Sequence, residues 1–269
     1  MSALRFCVES VAFWAPSLPG WPIARAAFRG EGGPVEPAAK RPAPEILAPA
    51  ERRRAPDSVA LALEVAAAAV RESGRDAAAL ASIFTSAHGD LAVNDYMCST
   101  LASQPTLISP TRFHNSVHNA AAGYWTIATG CMAASTALSA FEASFAAGLL
   151  EAATQCLADD RAVLLVAFDV EAVGALASVT ASKGLLATAF VLAPALAAGL
   201  PTRPGFEATL IAGPATVASL RSSAARALAS NAMADALPFL EALALAATEP
   251  LELPLSLSLA LRLTPSKPR

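Results

Sequence analysis

The chain has 269 residues, 55% hydrophobic and only 15% charged, with a net charge of −3 and a pI near 5.7. That length holds one sizeable core or two small ones, and so apolar a composition points to surface hidden against a partner. The acidic balance, relieved by a single basic run at Arg52, Arg53 and Arg54, argues against a nucleic-acid surface.

In chain order, LRFCVESVAFW alternates and predicts a strand, and APSLPGWPIARAAF predicts an irregular segment. Residues 30–56, rich in Gly, Pro and Ala, predict a surface loop. Asp57 or Ser58 then caps a helix, SVALALEVAAAAVRESG, that Gly74 closes. ASIFTSAHG (81–89) predicts a buried strand with a glycine turn, and DLAVNDYMCSTLAS a short helix stopped before Pro105. A further helix starts at Asn115 or Ser116 and ends at Gly130. CMAASTALSA (131–140) predicts a strand, FEASFAAGLLEAATQCLA a helix, and the continuous apolar run RAVLLVAFDV (161–170) a strand buried on both faces. GLLATAFVLAP and FEATLIAGP predict two more strands, NAMADALPFLEALALAAT a helix interrupted at Pro238, and LPLSLSLALRLTP a closing strand. The uncharged run from Gly184 to Leu200 falls short of a membrane span and is split by Pro194, so a strand and turn are expected there. The whole reads as one α/β domain, 1–269, around a largely internal sheet.

Chemistry is sparse. Four cysteines, Cys7, Cys98, Cys131 and Cys156, lie too far apart for a zinc or redox motif and fit the reduced thiols of a cytoplasmic protein; MSALRFCVES does not resemble a secretory leader. His114 and His118 share a face if helical, but no third ligand accompanies them, and no metal or other cofactor is expected. Neither G-x-S-x-G nor a phosphate-cradling glycine loop occurs. Cys131 opens an apolar segment and Cys156 sits late in a helix, so both read as packing groups. Asp169, at a strand end, is either functional or the cap of a turn. Glu142 stands out as a carboxylate at the start of an apolar helix, where it is exposed, paired or employed.

From Ile83 to Asp169 the residues resemble the N-terminal half of a β-ketoacyl synthase, a condensing enzyme of thiolase-like, layered α-β-α fold. The likeness runs without gaps from SPTRFHNSVHNAAAGYWTIATG to RAVLLVAFD and includes Asn119, the small-residue helix and Gly130. APSLPGW and ERRRAPDSVALALEVAAAAV extend it toward the truncated, stand-alone ketosynthase-like proteins of aryl polyene and xanthomonadin-type pigment pathways. In this register Glu142 takes the place of the nucleophilic cysteine, after Phe141 and two before Ser144. Phe168 and Asp169 replace the family's glycines, and no histidine follows His118, where full-length members carry two in their second half.

The resemblance implies a non-catalytic chain-length factor. It would pair as a heterodimer with a full-length β-ketoacyl synthase, meet acyl carrier protein through that complex, and serve a type II polyketide- or fatty-acid-like elongation. It further implies that the strand holding Ala133, Ser135 and Ala137 extends the sheet across a two-fold axis. Met97, Arg112, Phe113 and Phe141 would then line the partner's acyl tunnel or the interface. Glu142 would be an anion plug held by helix-start amides, the alternative being an ordinary exposed first-turn glutamate. Two other readings stay open: a stand-alone acyl-transfer or malonyl-decarboxylating enzyme using Glu142 or Cys131, and a scaffold that docks carrier protein.

Overall fold

The computed structural model describes residues 3–32, 40–180, 182–195 and 203–266. The described chain builds one nine-stranded mixed sheet between two helical layers. In chain order, β1 (Leu4–Ala15) and the short β2 (Leu18–Pro19) lead into α1 (Trp21–Phe28); α2 (Pro49–Arg54) and α3 (Asp57–Ser73) precede β3 (Ala81–Thr85). Then come α4 (Leu91–Ser103), α5 (Pro110–His114), α6 (Ala120–Thr129), β4 (Ser135–Leu138), α7 (Ser144–Ala158) and β5 (Val163–Asp169). The remainder is β6 (Leu186–Pro194), β7 (Gly205–Ala212), α8 (Ser223–Ala227), α9 (Leu237–Leu245), β8 (Leu251–Ser256) and β9 (Leu259–Ser266).

The strand order is β4-β3-β5-β6-β1-β7-β9-β8, with β2 paired to β1. β3 runs parallel to both β4 and β5, and the remaining pairs are antiparallel. β5 and β6 lie mid-sheet with helices over both faces, which is why VLLVAFD and LATAFVLA carry no exposed side chain. This also explains the uncharged run from Gly184: its described part is a core strand, and residues 196–200 lie outside the described residues. No helix among the described residues is long and apolar enough to cross a membrane.

α7 is the central helix of one face. Gly148 lets it close on the sheet, because a Cβ there would lie 2.8 Å from Thr85 Cγ2 and 3.1 Å from Leu165 Cδ1. α3 covers the other face with Val59, Leu61, Leu63 and Val65, and Gly74 ends it at φ 71, a backbone state that glycine adopts without penalty.

Three expectations are corrected. APSLPGWPIARAAF is ordered as β2 and α1, since Pro22 falls in the first helical turn, where its missing N–H costs nothing. Within the predicted loop 30–56, residues 33–39 lie outside the described residues. The rest includes α2, with Leu47 and Ala55 buried. The closing alternation is a hairpin of β8 and β9 rather than one strand: the chain reverses at Leu257, which is 95% exposed. A smaller difference is that the helix expected from Asn115 or Ser116 begins only at Ala120, as α6, behind a separate short helix, α5, that ends at His114.

Candidate functional site

The site lies where β4 hands over to α7. Between them Phe141 to Ala143 form one 3₁₀ turn, and Phe141 adopts φ 54, a left-handed state costing a bulky residue about 1–3 kcal/mol. Ser144 holds that turn: its hydroxyl donates to the Phe141 carbonyl at 2.7 Å and accepts from Ala140 N–H at 3.0 Å. The His88 ring meets the Phe141 ring edge-on with centroids 5.4 Å apart. A strained turn from strand to helix is the geometry in which enzymes expose a nucleophile above helix-start amides. Here the side chain at the strained position is a phenyl, 57% exposed.

Glu142 follows it, exposed, and among the described residues no hydrogen bond reaches its carboxylate. The expected amide-held plug at this residue is therefore not what the fold contains: no amide of the first turn of α7 donates to the Glu142 carboxylate among the described residues. That turn is occupied instead by Asp235, whose Oδ2 accepts from Phe145 N–H at 2.8 Å. Among the described residues Asp235 Oδ1 is sealed from solvent without a hydrogen-bond partner, and burial pushes the carboxyl up to about 8.

A cavity of about 450 Å³ opens beside the turn, lined by His88, Phe141, Glu142, Thr180, Asn231 and Asp235. His88 Nε2 lies 2.9 Å from Thr180 Oγ1, and burial lowers its pKa, favouring the neutral ring. Asp169 anchors the loop that carries His88. It accepts from the Ser86 hydroxyl at 2.7 Å, Ala87 N–H at 2.9 Å and His88 N–H at 3.3 Å. Of the two readings of Asp169, these bonds support the structural one, with the carboxylate capping the turn after β3.

β4 is the outermost strand at one end of the sheet. Ser82 N–H donates to Ala134 O and Ser86 N–H to Leu138 O, so the backbone groups of Ser135 and Ala137 point to the free edge. Ser135 is exposed; Ala133 and Ala137 are half-buried. Met132, 95% exposed, and Ile127, 74% exposed, flank this edge in sequence. Phe113, 63% exposed, sits on α5 with the exposed Arg112, whereas Met97 is half-buried on α4.

Sequence reasoning missed Tyr96. Its hydroxyl accepts from Ser109 N–H at 3.0 Å and donates to Leu107 O at 3.4 Å, and the Arg112 guanidinium lies 4.1 Å from its ring centroid. Tyr96 thereby fixes the single turn that presents Phe113.

His114 and His118 do not form a helical pair, since α5 ends at His114 and His118 Nε2 donates to Ser86 O at 3.0 Å. Among the described residues no cluster of three His, Cys, Asp or Glu is placed to hold a metal ion. Cys131 is buried with its thiol on Leu80 O at 3.4 Å, and Cys156 is buried and pushed up to about 12 by that burial.

The same fold is found in solved ketosynthase complexes. A chain of the ketosynthase (ApeO) in complex with its chain length factor (ApeC) from Xenorhabdus doucetiae superposes with a TM-score of 0.73 at 23% identity, covering 97% of this chain and 99% of that one. A chain of the ishigamide ketosynthase/chain length factor gives 0.71 at 16% identity with the same coverage. A β-ketoacyl synthase from Burkholderia phymatum gives 0.57 at 13% identity, and this chain spans 71% of it. No curated protein matches the sequence. The sequence model of the β-ketoacyl synthase N-terminal domain matches residues 29–252. With that match over most of its length and a thiolase-like architecture throughout, the chain belongs to the β-ketoacyl synthase N-terminal domain family.

Proposed function

We propose that this chain is a chain-length factor: a non-condensing partner of a full-length β-ketoacyl synthase that acts on carrier-bound acyl chains, in an aryl polyene-type elongation. The observation that carries the reading is the free β4 edge with exposed apolar residues beside it. An unpaired parallel edge flanked by Ile127 and Met132 is an unprotected pairing surface. The opposite edge, β8, is guarded by Pro254 and by the ion pair of Glu252 with Arg262 at 2.8 Å. One end of the sheet is thus built to pair and the other to refuse pairing.

The short match supports the same reading. This chain and the matched chain of the ApeO–ApeC complex cover one another almost entirely, whereas it spans 47% of the ketosynthase from module 1 of the bacillaene synthase. For catalysis, Phe141 is the strained residue of the strand-to-helix turn, so we assign it, rather than its neighbour Glu142, to the family's cysteine position. A phenyl ring cannot form the acyl thioester on which condensation depends. The stand-alone enzyme reading is the weaker one, since Cys131 is buried and Glu142 is exposed with no hydrogen-bond partner among the described residues to orient it as a base. Phe113 and Arg112, fixed by Tyr96, are assigned to the wall of the partner's acyl tunnel, and Ser135 and Ala137 to the intersubunit sheet.

The test is coexpression with a full-length ketosynthase. The chain is expected to copurify with it in equal amount and to leave all acyl loading on the partner's cysteine. Recovery of the two proteins separately, or acyl transfer by this chain alone, overturns the proposal.

A further inference from the structure

The first turn of α7 carries no side-chain cap from its own strand side, and the residue expected to supply one, Glu142, is exposed. The carboxyl group found there comes from a segment 90 residues further along. That segment is rigidly mounted. Asn231 Nδ2 donates to the carbonyls of Asp169, Lys183 and Gly184, and Asn231 Oδ1 accepts from Met233 N–H. Ala232 N–H donates to Ser182 Oγ, which itself donates to Val170 O. Asp235 follows on a 3₁₀ turn, seats Oδ2 on Phe145 N–H at 2.8 Å, and leaves Oδ1 buried without a partner among the described residues.

We propose that Asp235 is a built-in occupant of the α7 N-terminus, holding from within the chain the amide end on which an acyl oxygen or a substrate carboxylate would otherwise be stabilised. The inference rests on the assignment of the Phe141–Ser144 junction to the family's nucleophile turn. It gives the subunit a second block to acyl chemistry, independent of the missing thiol: the electropositive end of the helix already has its ligand.

The block has a pH signature. Asp235 is faced by the amides of Phe145 and Ala146 from α7 and by Asp169 from the end of β5, whose like charge raises it further. Glu142 and His88 line the same cavity, and Lys183 approaches through backbone bonds to Ser230 and Asn231. Burial holds the proton to about 8 in the fold, against an ordinary value of 3.8. The folded state therefore binds a proton that the unfolded state releases. Stability is full below an ordinary carboxyl pKa and declines as pH rises from about 4 to about 8.

The experiment places a thiol probe at the turn by Phe141→Cys in a Cys98→Ser background and follows its alkylation by iodoacetamide at pH 7. Adding Asp235→Ala frees the Phe145 N–H that the carboxyl occupies and is expected to raise the rate about tenfold, the freed amide stabilising the thiolate. Asp235→Asn, which keeps a carbonyl on Phe145 N–H, should leave the rate within about twofold of the parent. An unchanged rate in a cooperatively unfolding Asp235→Ala protein overturns the proposal. Should Asp235→Ala not fold, the pH profile decides. Wild-type stability is expected to fall relative to Asp235→Asn between pH about 4 and about 8, and parallel profiles overturn the proposal. Neither readout involves a ketosynthase, so failure of the heterodimer and failure of the plug are separate results.

Discussion

Replacing Ala137 with proline separates the fold of this chain from its assembly. The internal ladder between β3 and β4 uses the backbone groups of Ala134, Thr136 and Leu138, while the N–H of Ala137 points to the free edge. Proline at 137 therefore removes no bond within the chain, and edge strands accept it. The fold should lose about 1 kcal/mol or less, a Tm shift within about 4 °C. At a sheet continued into a partner, the change deletes the bond from Ala137 and pushes the neighbouring bond at Ser135 apart, about 1 kcal/mol each. The facing carbonyl, left buried and unpaired, adds about 1–3 kcal/mol. The sum of about 3–5 kcal/mol weakens association by roughly a hundred- to several thousandfold. Copurification with the coexpressed ketosynthase and thermal unfolding of the chain measure the two halves. A variant that binds its partner at wild-type affinity refutes the edge-pairing argument. One that fails to fold refutes the ladder assignment.

Glu142→Ala should change stability by less than about 0.5 kcal/mol, measured by denaturant unfolding, because the carboxylate is exposed and unpartnered among the described residues. A loss above about 1 kcal/mol would restore the amide-held role for this residue. In the native protein iodoacetamide should modify the exposed Cys98 and spare the buried Cys7, Cys131 and Cys156; peptide mass spectrometry reads the pattern, and fast labelling of Cys131 would revive it as a nucleophile.

Much of the sheet and its central helices was legible because period and burial agree. RAVLLVAFDV is apolar at every position since it lies mid-sheet under helices on both faces, and SVALALEVAAAAVRESG ends where glycine permits a left-handed cap. Legibility failed where one pattern serves two structures. LPLSLSLALRL keeps its two-residue alternation across a reversal, so nothing local separates one strand from a hairpin. In APSLPGWPIARAAF, Pro22 reads as punctuation, yet at a first helical turn it favours the helix.

At the site, the junction between β4 and α7 was legible to within one residue, since a small-residue strand followed by an amphipathic helix marks it. The strained residue was not, because φ at Phe141 is set by Ser144, Ala140 and the packing of His88. The true occupant of the helix end was hidden by distance along the chain. Asp235 looks like an ordinary first-turn acid of NAMADALPFLEALALAAT, and only the fold carries it to Phe145. Tyr96 was passed over for the same reason, as its contacts with Ser109 and Arg112 span a turn whose shape it creates.

Under the proposed function, this subunit sets the length of a chain built on its partner's cysteine. That role is tested most directly by the product distribution of the reconstituted complex carrying Phe113→Ala. Longer acyl products are expected at an unchanged loading rate, with Tyr96→Ala blurring the distribution. An unchanged distribution from an intact complex would contradict it.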